Sequence, residues 1–297
     1  MTTSFFSIII PTYNRAHLLE KTIGTVTAQT YQDFEVIVVD DGSTDDTENV
    51  VDRLIRRSSA AISYVKQANS ERAAARNRGL KQATGSYVLF FDSDDTLYEN
   101  HLQVARDYIR QKSEPEFIHL RYDVKNDAGE VVSLGPVFES FPNKKLIRGN
   151  FLSCNGIFIR KDIALKNQFN EDRELSAMED WELWLRLASQ FPIHYVNTIT
   201  STVIDHKERS VVITRKQALI NRIRLLIAYV TANEIVKAYY GKEFHRFRSS
   251  CYSYLSLHLS LTGKDKRTTL RYLIVSFLNF PGFLFQRRFY AIIKHLF

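Results

Sequence analysis

The 297-residue chain has almost no cysteine. Cys154 and Cys251 are too few for a disulfide framework and do not form a metal-ligand spacing, which fits a reducing compartment. The loops that mark the common nucleotide folds are missing. There is no Gly-x-x-x-x-Gly-Lys-Ser/Thr, and no Gly-x-Gly-x-x-Gly follows the first apolar segment. Gly-x-Ser-x-Gly and His-Glu-x-x-His are also absent, so serine hydrolase and zinc protease readings lack support. No apolar run approaches the roughly 20 residues of a spanning helix. Tyr272 to Phe285 covers 14 residues and is interrupted by Pro281-Gly282. Met1-Thr2-Thr3-Ser4 carries no basic region, and Phe5 to Ile10 is too short for a signal core, so export is not expected. No internal repeat or low-complexity segment occurs.

What is present is ordinary in hydrophobicity and uneven in charge. A hydrophobic content of 44% supplies a sizeable core, and the length suits one large domain or two smaller ones. From His206 to Phe297 there are 17 Lys/Arg against 4 Asp/Glu, a net of +13. The remainder holds 23 against 29, a net of −6. A polyanionic partner is expected for the basic third, either nucleic acid or an anionic membrane.

The first 125 residues alternate strand and helix patterns. Strands are expected at Phe5 to Ile10, Phe34 to Val39, Ile62 to Val65 and Ser86 to Phe91. Helices are expected at Arg15 to Gln29, Thr44 to Arg57 and Glu71 to Ala83. This order predicts an α/β fold with a parallel sheet covered by helices. Further on, Phe117 to Val124 and Phe151 to Arg160 read as strands, with a hairpin turn at Asp127 to Glu130. Ser176 to Gln190 reads as a helix in which Glu182 and Arg186 can pair at i,i+4. From Arg215 the pattern is almost all helical, with breaks near Gly241-Lys242, Thr262-Gly263 and Pro281-Gly282.

In open α/β sheets, ligands bind at the carboxyl ends of the strands. Three of those ends are polar here: Thr12-Tyr13-Asn14, Asp40-Asp41-Gly42-Ser43 and Asp92-Ser93-Asp94-Asp95. The last puts three carboxylates directly after the buried-strand run Tyr87 to Phe91. Packed carboxylates repel, so such a cluster is costly unless something positive sits among them. A hard divalent cation, which takes oxygen ligands and bridges carboxylates to phosphates, would serve.

Together these segments resemble a known family. Ser7-Ile-Ile-Ile-Pro-Thr-Tyr-Asn14, Val38-Val-Asp-Asp-Gly-Ser-Thr-Asp45, Ala75-Arg-Asn-Arg-Gly79 and Phe90-Phe-Asp-Ser-Asp-Asp95 are similar to the motifs of family-2 glycosyltransferases of GT-A fold. Glu179-Asp180-Trp-Glu-Leu-Trp-Leu-Arg186 resembles that family's acceptor-side motif. The resemblance implies an inverting enzyme that uses a nucleotide-diphosphate sugar, here UDP-linked, and Mn²⁺ or Mg²⁺. It implies a Rossmann-like, mostly parallel nucleotide-sugar domain over 1–215, with a nucleotide half at about 1–97 and an acceptor half at about 98–215. A basic helical region, 216–297, would follow.

Residue by residue, the resemblance places Pro11, Thr12 and Tyr13 against the base, and Asp41 with its neighbour Asp40 at the base N–H. It turns Arg72, Arg76 and Asn77 toward the nucleotide. Asp92 would meet the ribose or the metal's water shell. Asp94 would bind metal, with Asp95 the alternative ligand and His206 an approaching one. Asp180 would be the general base, with Glu179 and Trp184 on the acceptor side. A glycan or lipid-linked acceptor in surface polysaccharide assembly follows.

The resemblance fades after about residue 215. Gln286 to Phe297 mixes cations with large apolar residues, which suits a helix lying in a membrane interface. Attachment to an anionic surface at the inner face of the cell membrane is therefore expected, with nucleic acid not favoured and a homo-oligomer allowed. A nucleotidyltransferase would need a basic, Gly-rich loop after the first strand, where this chain has Pro-Thr-Tyr-Asn. A non-catalytic membrane- or nucleic-acid-binding protein is the other rival, and the intact acidic motifs argue against it.

Overall fold

A computed structural model describes residues 4–206, 216–262 and 265–296. The expected break at Gly263 and the basic positions just after His206 lie outside these residues. The chain divides into two units. The first comprises the described parts of 1–142, 151–173 and 191–209, and the second those of 143–150, 174–190 and 210–297. The grouping does not follow a single cut near 215, because two earlier segments join the C-terminal helices.

The first unit begins with β1 (Phe6–Thr12), α1 (Ala16–Thr27), β2 (Phe34–Asp40), α2 (Thr47–Arg57), β3 (Ala61–Lys66), α3 (Glu71–Gln82) and β4 (Tyr87–Phe90). It continues with β5 (Thr96–Leu97), α4 (His101–Gln111), β6 (Phe117–Asn126) and β7 (Val131–Leu134). After α5 (Asn143–Leu146), which belongs to the second unit, come β8 (Ile157–Arg160) and α6 (Lys161–Lys166). After α7 (Glu179–Ala188), also of the second unit, β9 (His194–Asp205) completes the sheet.

The nine strands run in the order β3-β2-β1-β4-β8-β6-β9-β5, with β7 on β6. β1 to β4 are mutually parallel, as the βα alternation requires. β8 reverses direction against β4 and β6, while β6 and β9 are parallel. Every residue of β1 and β4 is buried, so these largely apolar strands are covered on both faces. Because β2 and β4 flank β1 on opposite sides, the strand order switches beside β1, the place where open α/β sheets bind ligands at their carboxyl ends.

Four elements depart from the sequence reading. The expected strand at Phe151 to Arg160 is reduced to β8, preceded by a 3₁₀ turn at Cys154–Gly156. Gly156 lies so close to the Leu120 carbonyl of β6 that any Cβ would collide with it, and the turn it ends leads directly into β8. The helix expected from Ser176 starts at Glu179, after Ala177 takes a left-handed φ of 71°. α4 and the twelve-residue β9 have no counterpart in the sequence reading.

The second unit is built on α5 and α7, then α8 (Lys216–Ala232), α9 (Glu234–Tyr240), α10 (Phe244–Thr262), α11 (Lys266–Asn279) and α12 (Arg287–Leu296). Phe247, Cys251, Leu255 and Leu259 recur every fourth residue on α10 and are buried. Small residues let α11 approach. Ser256 Oγ donates to the Thr269 carbonyl at 3.0 Å, and Ser276 Oγ to the Ser249 carbonyl at 2.9 Å. Among the described residues no helix is long and apolar enough to cross a membrane.

Two histidines lie wholly inside the first unit. His101 Nδ1 meets Thr200 Oγ1 at 2.8 Å, and His119 Nε2 accepts the Ser153 N–H at 3.1 Å. Burial pushes both down to about 3. Both are thus neutral when folded, whereas the unfolded chain takes up protons below about 6.5. Each therefore makes stability fall as pH drops from about 6.5 toward 3, by about 1.4 kcal/mol per unit. A buried carboxylate raised above its usual range, such as Asp95 below, has the opposite slope, so variant and parent are compared. Denaturant unfolding at pH 7 and pH 5 should show a smaller loss of stability for His119→Gln than for the parent.

Candidate nucleotide-sugar site

β1 and β2 end in register, with Thr12 opposite Asp40. Beyond them the chain enters two polar loops. Tyr13 is 48% exposed, Pro11 is buried, and the buried Thr12 Oγ1 has no hydrogen-bond partner. An orphaned hydroxyl at the carboxyl end of β1 fits a site whose ligand completes it.

The adjacent carboxylates of the second loop do different things. Asp40 is fully buried: Oδ1 accepts the Ser43 N–H at 2.8 Å and Oδ2 the Tyr64 hydroxyl at 2.5 Å. Burial, then the Asp40 bond, pushes the Tyr64 phenol up. Asp40 is thus a brace between β2 and β3 rather than a group turned toward a base. Asp41 Oδ1 accepts from Gln67 Nε2 at 2.7 Å and from the Ser70 N–H at 2.8 Å. Its Oδ2 makes no hydrogen bond among the described residues. Gly42 turns the loop with φ 84°, and an added Cβ would press on the Asn69 amide.

α3 reaches the same edge because Gly79 lets it sit directly on β1; a Cβ there would collide with Ile9. Arg76 is 1% exposed, pairs with Asp92 Oδ1 at 2.6 Å and lies over the Phe169 ring. Asn77 gives its amide to the 169–171 segment. Nδ2 donates to the Phe169 carbonyl at 2.9 Å and Glu171 Oε1 at 2.8 Å, while Oδ1 accepts the Phe169 N–H at 2.9 Å. The expectation that Arg76 and Asn77 face the nucleotide is corrected: one holds Asp92 and the other holds a neighbouring loop. Arg72 is half-buried at the start of α3.

The three carboxylates after β4 each have separate partners. Asp92 keeps 30% of its side chain exposed beyond its pairing with Arg76. Asp94 Oδ2 accepts from Arg15 and from His206 Nε2, the latter at 3.0 Å. Burial would raise Asp94, but the Arg15 charge and hydrogen bond, joined by His206, hold it below its usual value. Asp95 is 5% exposed and points elsewhere, taking the Ile204 N–H and the Asn155 amide, both at 2.8 Å. Burial, then the charges of Asp94 and Asp92, push Asp95 well above the usual carboxylate range. With both oxygens engaged, Asp95 ties the acidic turn to β9 and is corrected from alternative metal ligand to brace.

Asp94 and His206 also line a cleft of about 700 Å³ between α1, β5, β9 and the β6–β7 hairpin. His17, Lys21, Tyr98 and Lys125 share its walls. The described residues hold no group of three His, Cys, Asp or Glu side chains that could cage a metal alone. One carboxylate and one imidazole do converge. This fits a cation that takes most of its ligands from water and phosphate oxygens.

In the second unit Asp180 sits in the first turn of α7. Its Oδ1 accepts the Trp181 N–H at 2.6 Å and Oδ2 accepts from Asn150 Nδ2 at 3.0 Å. Glu179 is 2% exposed. Trp184 is fully buried, so its expected acceptor-side role is corrected to core packing. Trp181 is also core, with Nε1 on the Leu146 carbonyl. Glu182 and Arg186 form the expected i,i+4 pair at 2.7 Å. Sequence reasoning did not single out Arg15, Gln67, Asn150 or Asn155. Only Arg15 had a local signal, as the cation that follows Pro-Thr-Tyr-Asn.

A sheet that switches order beside β1, with acidic strand ends gathered there, defines a GT-A-type glycosyltransferase scaffold. The family model for glycosyl transferase family 2 matches residues 7–159, and the chain belongs to that family. An uncharacterized glycosyltransferase of Rickettsia felis is 31% identical over 201 residues, 66% of this chain and 32% of that protein. The chain therefore spans about a third of the length of such relatives. A UDP-Glc:α-D-GlcNAc-diphosphoundecaprenol β-1,3-glucosyltransferase of Escherichia coli is 29% identical over 192 residues, 64% of this chain and 72% of that one. The crystal structure of S. aureus TarS 1–349 in complex with UDP-GlcNAc shares the fold. It has a TM-score of 0.72 at 22% identity and covers 98% of this chain and 88% of its own.

The Asp95 brace makes a measurable claim. Asp95→Ala leaves the Ile204 N–H and the Asn155 amide without their acceptor, at about 1–3 kcal/mol for each. Urea unfolding should show that loss. Combining it with Asn155→Ala should cost less than the sum of the single changes, because the two side chains share one bond.

Proposed function

We propose that the protein is an inverting glycosyltransferase that moves a sugar from a UDP-sugar to a hydroxyl of a lipid-linked glycan. The observation that carries this reading is Asp94, held ionised by Arg15 and His206 at the end of β4, on the same sheet edge as Thr12 and Asp41. The E. coli relative supports a lipid-linked acceptor, and surface polysaccharide assembly is the setting this suggests.

The base is assigned to Asp41 Oδ2 and the 11–13 loop. Uracil offers one ring N–H, and a carboxylate fixed by Gln67 and Ser70 is positioned to accept it. Asp92, steadied by Arg76, is assigned to the ribose, and Arg72 to the diphosphate. Asp94 with His206 would hold Mn²⁺ or Mg²⁺. Such an ion, when bound, offsets the charge that gathers on the departing diphosphate. Arg15, already against Asp94, brings a positive charge to the same oxygen.

Asp180 is assigned the proton of the attacking hydroxyl. An inverting transfer needs one carboxylate on the face opposite the leaving group. Asp180 is half-buried, lies at a helix N-terminus and is oriented by Asn150. Attachment to the inner face of the cell membrane through the basic C-terminal region would bring the enzyme to a lipid-linked substrate.

Calorimetric titration with UDP, GDP and TDP, each with Mn²⁺ and with EDTA, tests the donor side. UDP should bind best, and Mn²⁺ should tighten it. Asp94→Ala should abolish the metal effect while the protein stays folded. Asp180→Asn should leave UDP affinity unchanged and lower transfer to a synthetic lipid-diphosphate acceptor by at least about 10²-fold, the lower end for a positioned general base. Unchanged transfer would remove Asp180 from the mechanism.

A further inference from the structure

We infer that the outward face of α11 is the protein's contact with an anionic lipid bilayer. This gives the membrane attachment above a particular face and depends on no step of the transfer chemistry. The inward face of α11 is settled by its contacts, since Thr269, Tyr272, Leu273 and Ser276 are buried and Thr269 and Ser276 bond to α10. The opposite side carries Leu270, Ile274, Phe277 and Leu278, which are 46%, 49%, 37% and 71% exposed. Their spacing of i, i+4, i+7 and i+8 makes one stripe. An ordinary surface helix shows water a polar face; this one shows a second apolar face.

Charge identifies the occupant. Lys266, Arg267 and Arg271 lie on the same side at the N-terminal end of α11, and all three are exposed. Lys266 to Phe297 contains six Lys/Arg and no Asp or Glu. The acid that precedes this segment, Asp265 at the α11 N-cap, is paired with Lys216 and accepts the Thr268 N–H; an apolar stripe joined to cations complements anionic headgroups above acyl chains. Phe285 and Tyr290, 86% and 62% exposed, extend the apolar exposure beyond α11.

The sequence had pointed instead to Gln286 to Phe297. The structure redirects that expectation. Ile292 and Leu296 of α12 are buried, and Arg288 is drawn inward to the Ser250 carbonyl at 3.1 Å and Ser253 Oγ at 3.0 Å. At 14 residues α11 is too short to span and is suited to lying in the interface plane.

The test is co-sedimentation of the full chain with phosphatidylglycerol/phosphatidylcholine vesicles and with phosphatidylcholine alone. Binding should need the anionic lipid and weaken with salt. Arg267→Glu with Arg271→Glu should reduce it by about tenfold or more, at roughly 1 kcal/mol per charge near the surface. Ile274→Ser with Leu278→Ser should remove the part that resists salt. Circular dichroism and UDP titration of each variant confirm that fold and donor site are intact, so failure here is separable from failure of the transferase reading. A full chain that stays in the supernatant at low salt overturns the inference, as does binding indifferent to both pairs of substitutions. A dimer that Leu278→Ser dissociates, without vesicle binding, would show the stripe to be a protein contact and also overturn it.

Discussion

Three carboxylates within four residues, at the end of a fully buried strand, are the constraint on which the first unit depends. At low effective dielectric their repulsion would unravel the turn or neutralise it. The structure answers each carboxylate separately: Arg76 for Asp92, Arg15 with His206 for Asp94, and two neutral donors for Asp95. These partners come from α3, the start of α1, the 154–156 turn and the end of β9. The acidic turn therefore sets where four other elements must stand. Using a cation on two carboxylates and only amides on the third also leaves their protonation unequal, with Asp94 held low and Asp95 pushed high.

The Asp40-Asp41 pair follows the same logic on a smaller scale. Two adjacent acids at a strand end point apart because successive side chains alternate across a sheet. One is consumed inside by Tyr64 and Ser43, and the other is fixed by a single oxygen. A carboxylate with one oxygen anchored and one open is oriented without being saturated, which is what recognition of a lone N–H requires. In both clusters the acid nearest the core is structural and a neighbour is left able to meet a ligand.

Much of this was legible in the sequence because it is periodic or local. The apolar runs of β1, β2 and β4, the βα alternation and the polar strand ends are short-range patterns, and they reproduce the parallel half of the sheet. The cluster itself was visible as acids needing positive company. What could not be read was the identity of that company. Asn155 meets Asp95 across 60 positions and His206 meets Asp94 across 112, and neither contact has a local signature. Arg76 and Asn77 were misplaced for a related reason: an arginine on a helix is ordinarily solvated, and only tertiary burial turned it into a partner for Asp92. β9 was missed although Tyr195, Val196, Ile199 and Val203 are strand formers, because their spacing is irregular and its pairing with β6 shifts register.

Under the proposed function and the proposed membrane contact, the chain meets two anions, a nucleotide and a lipid surface, and its cations serve the two in opposite ways. Arg76 is 1% exposed and Arg15 keeps 19% of its side chain exposed; each is committed to a named carboxylate. They fix the geometry of those carboxylates before any ligand arrives, which preorganises the site around them. Lys266, Arg267 and Arg271 are exposed, hydrated and held to no carboxylate of their own segment, which has none. Such cations recognise a plane of charge by number rather than by position, and salt screens them readily. The two sets differ in burial and not in residue type. This is why composition alone revealed a basic chain, while only the fold separated the arginines that shape a site from those that face a surface.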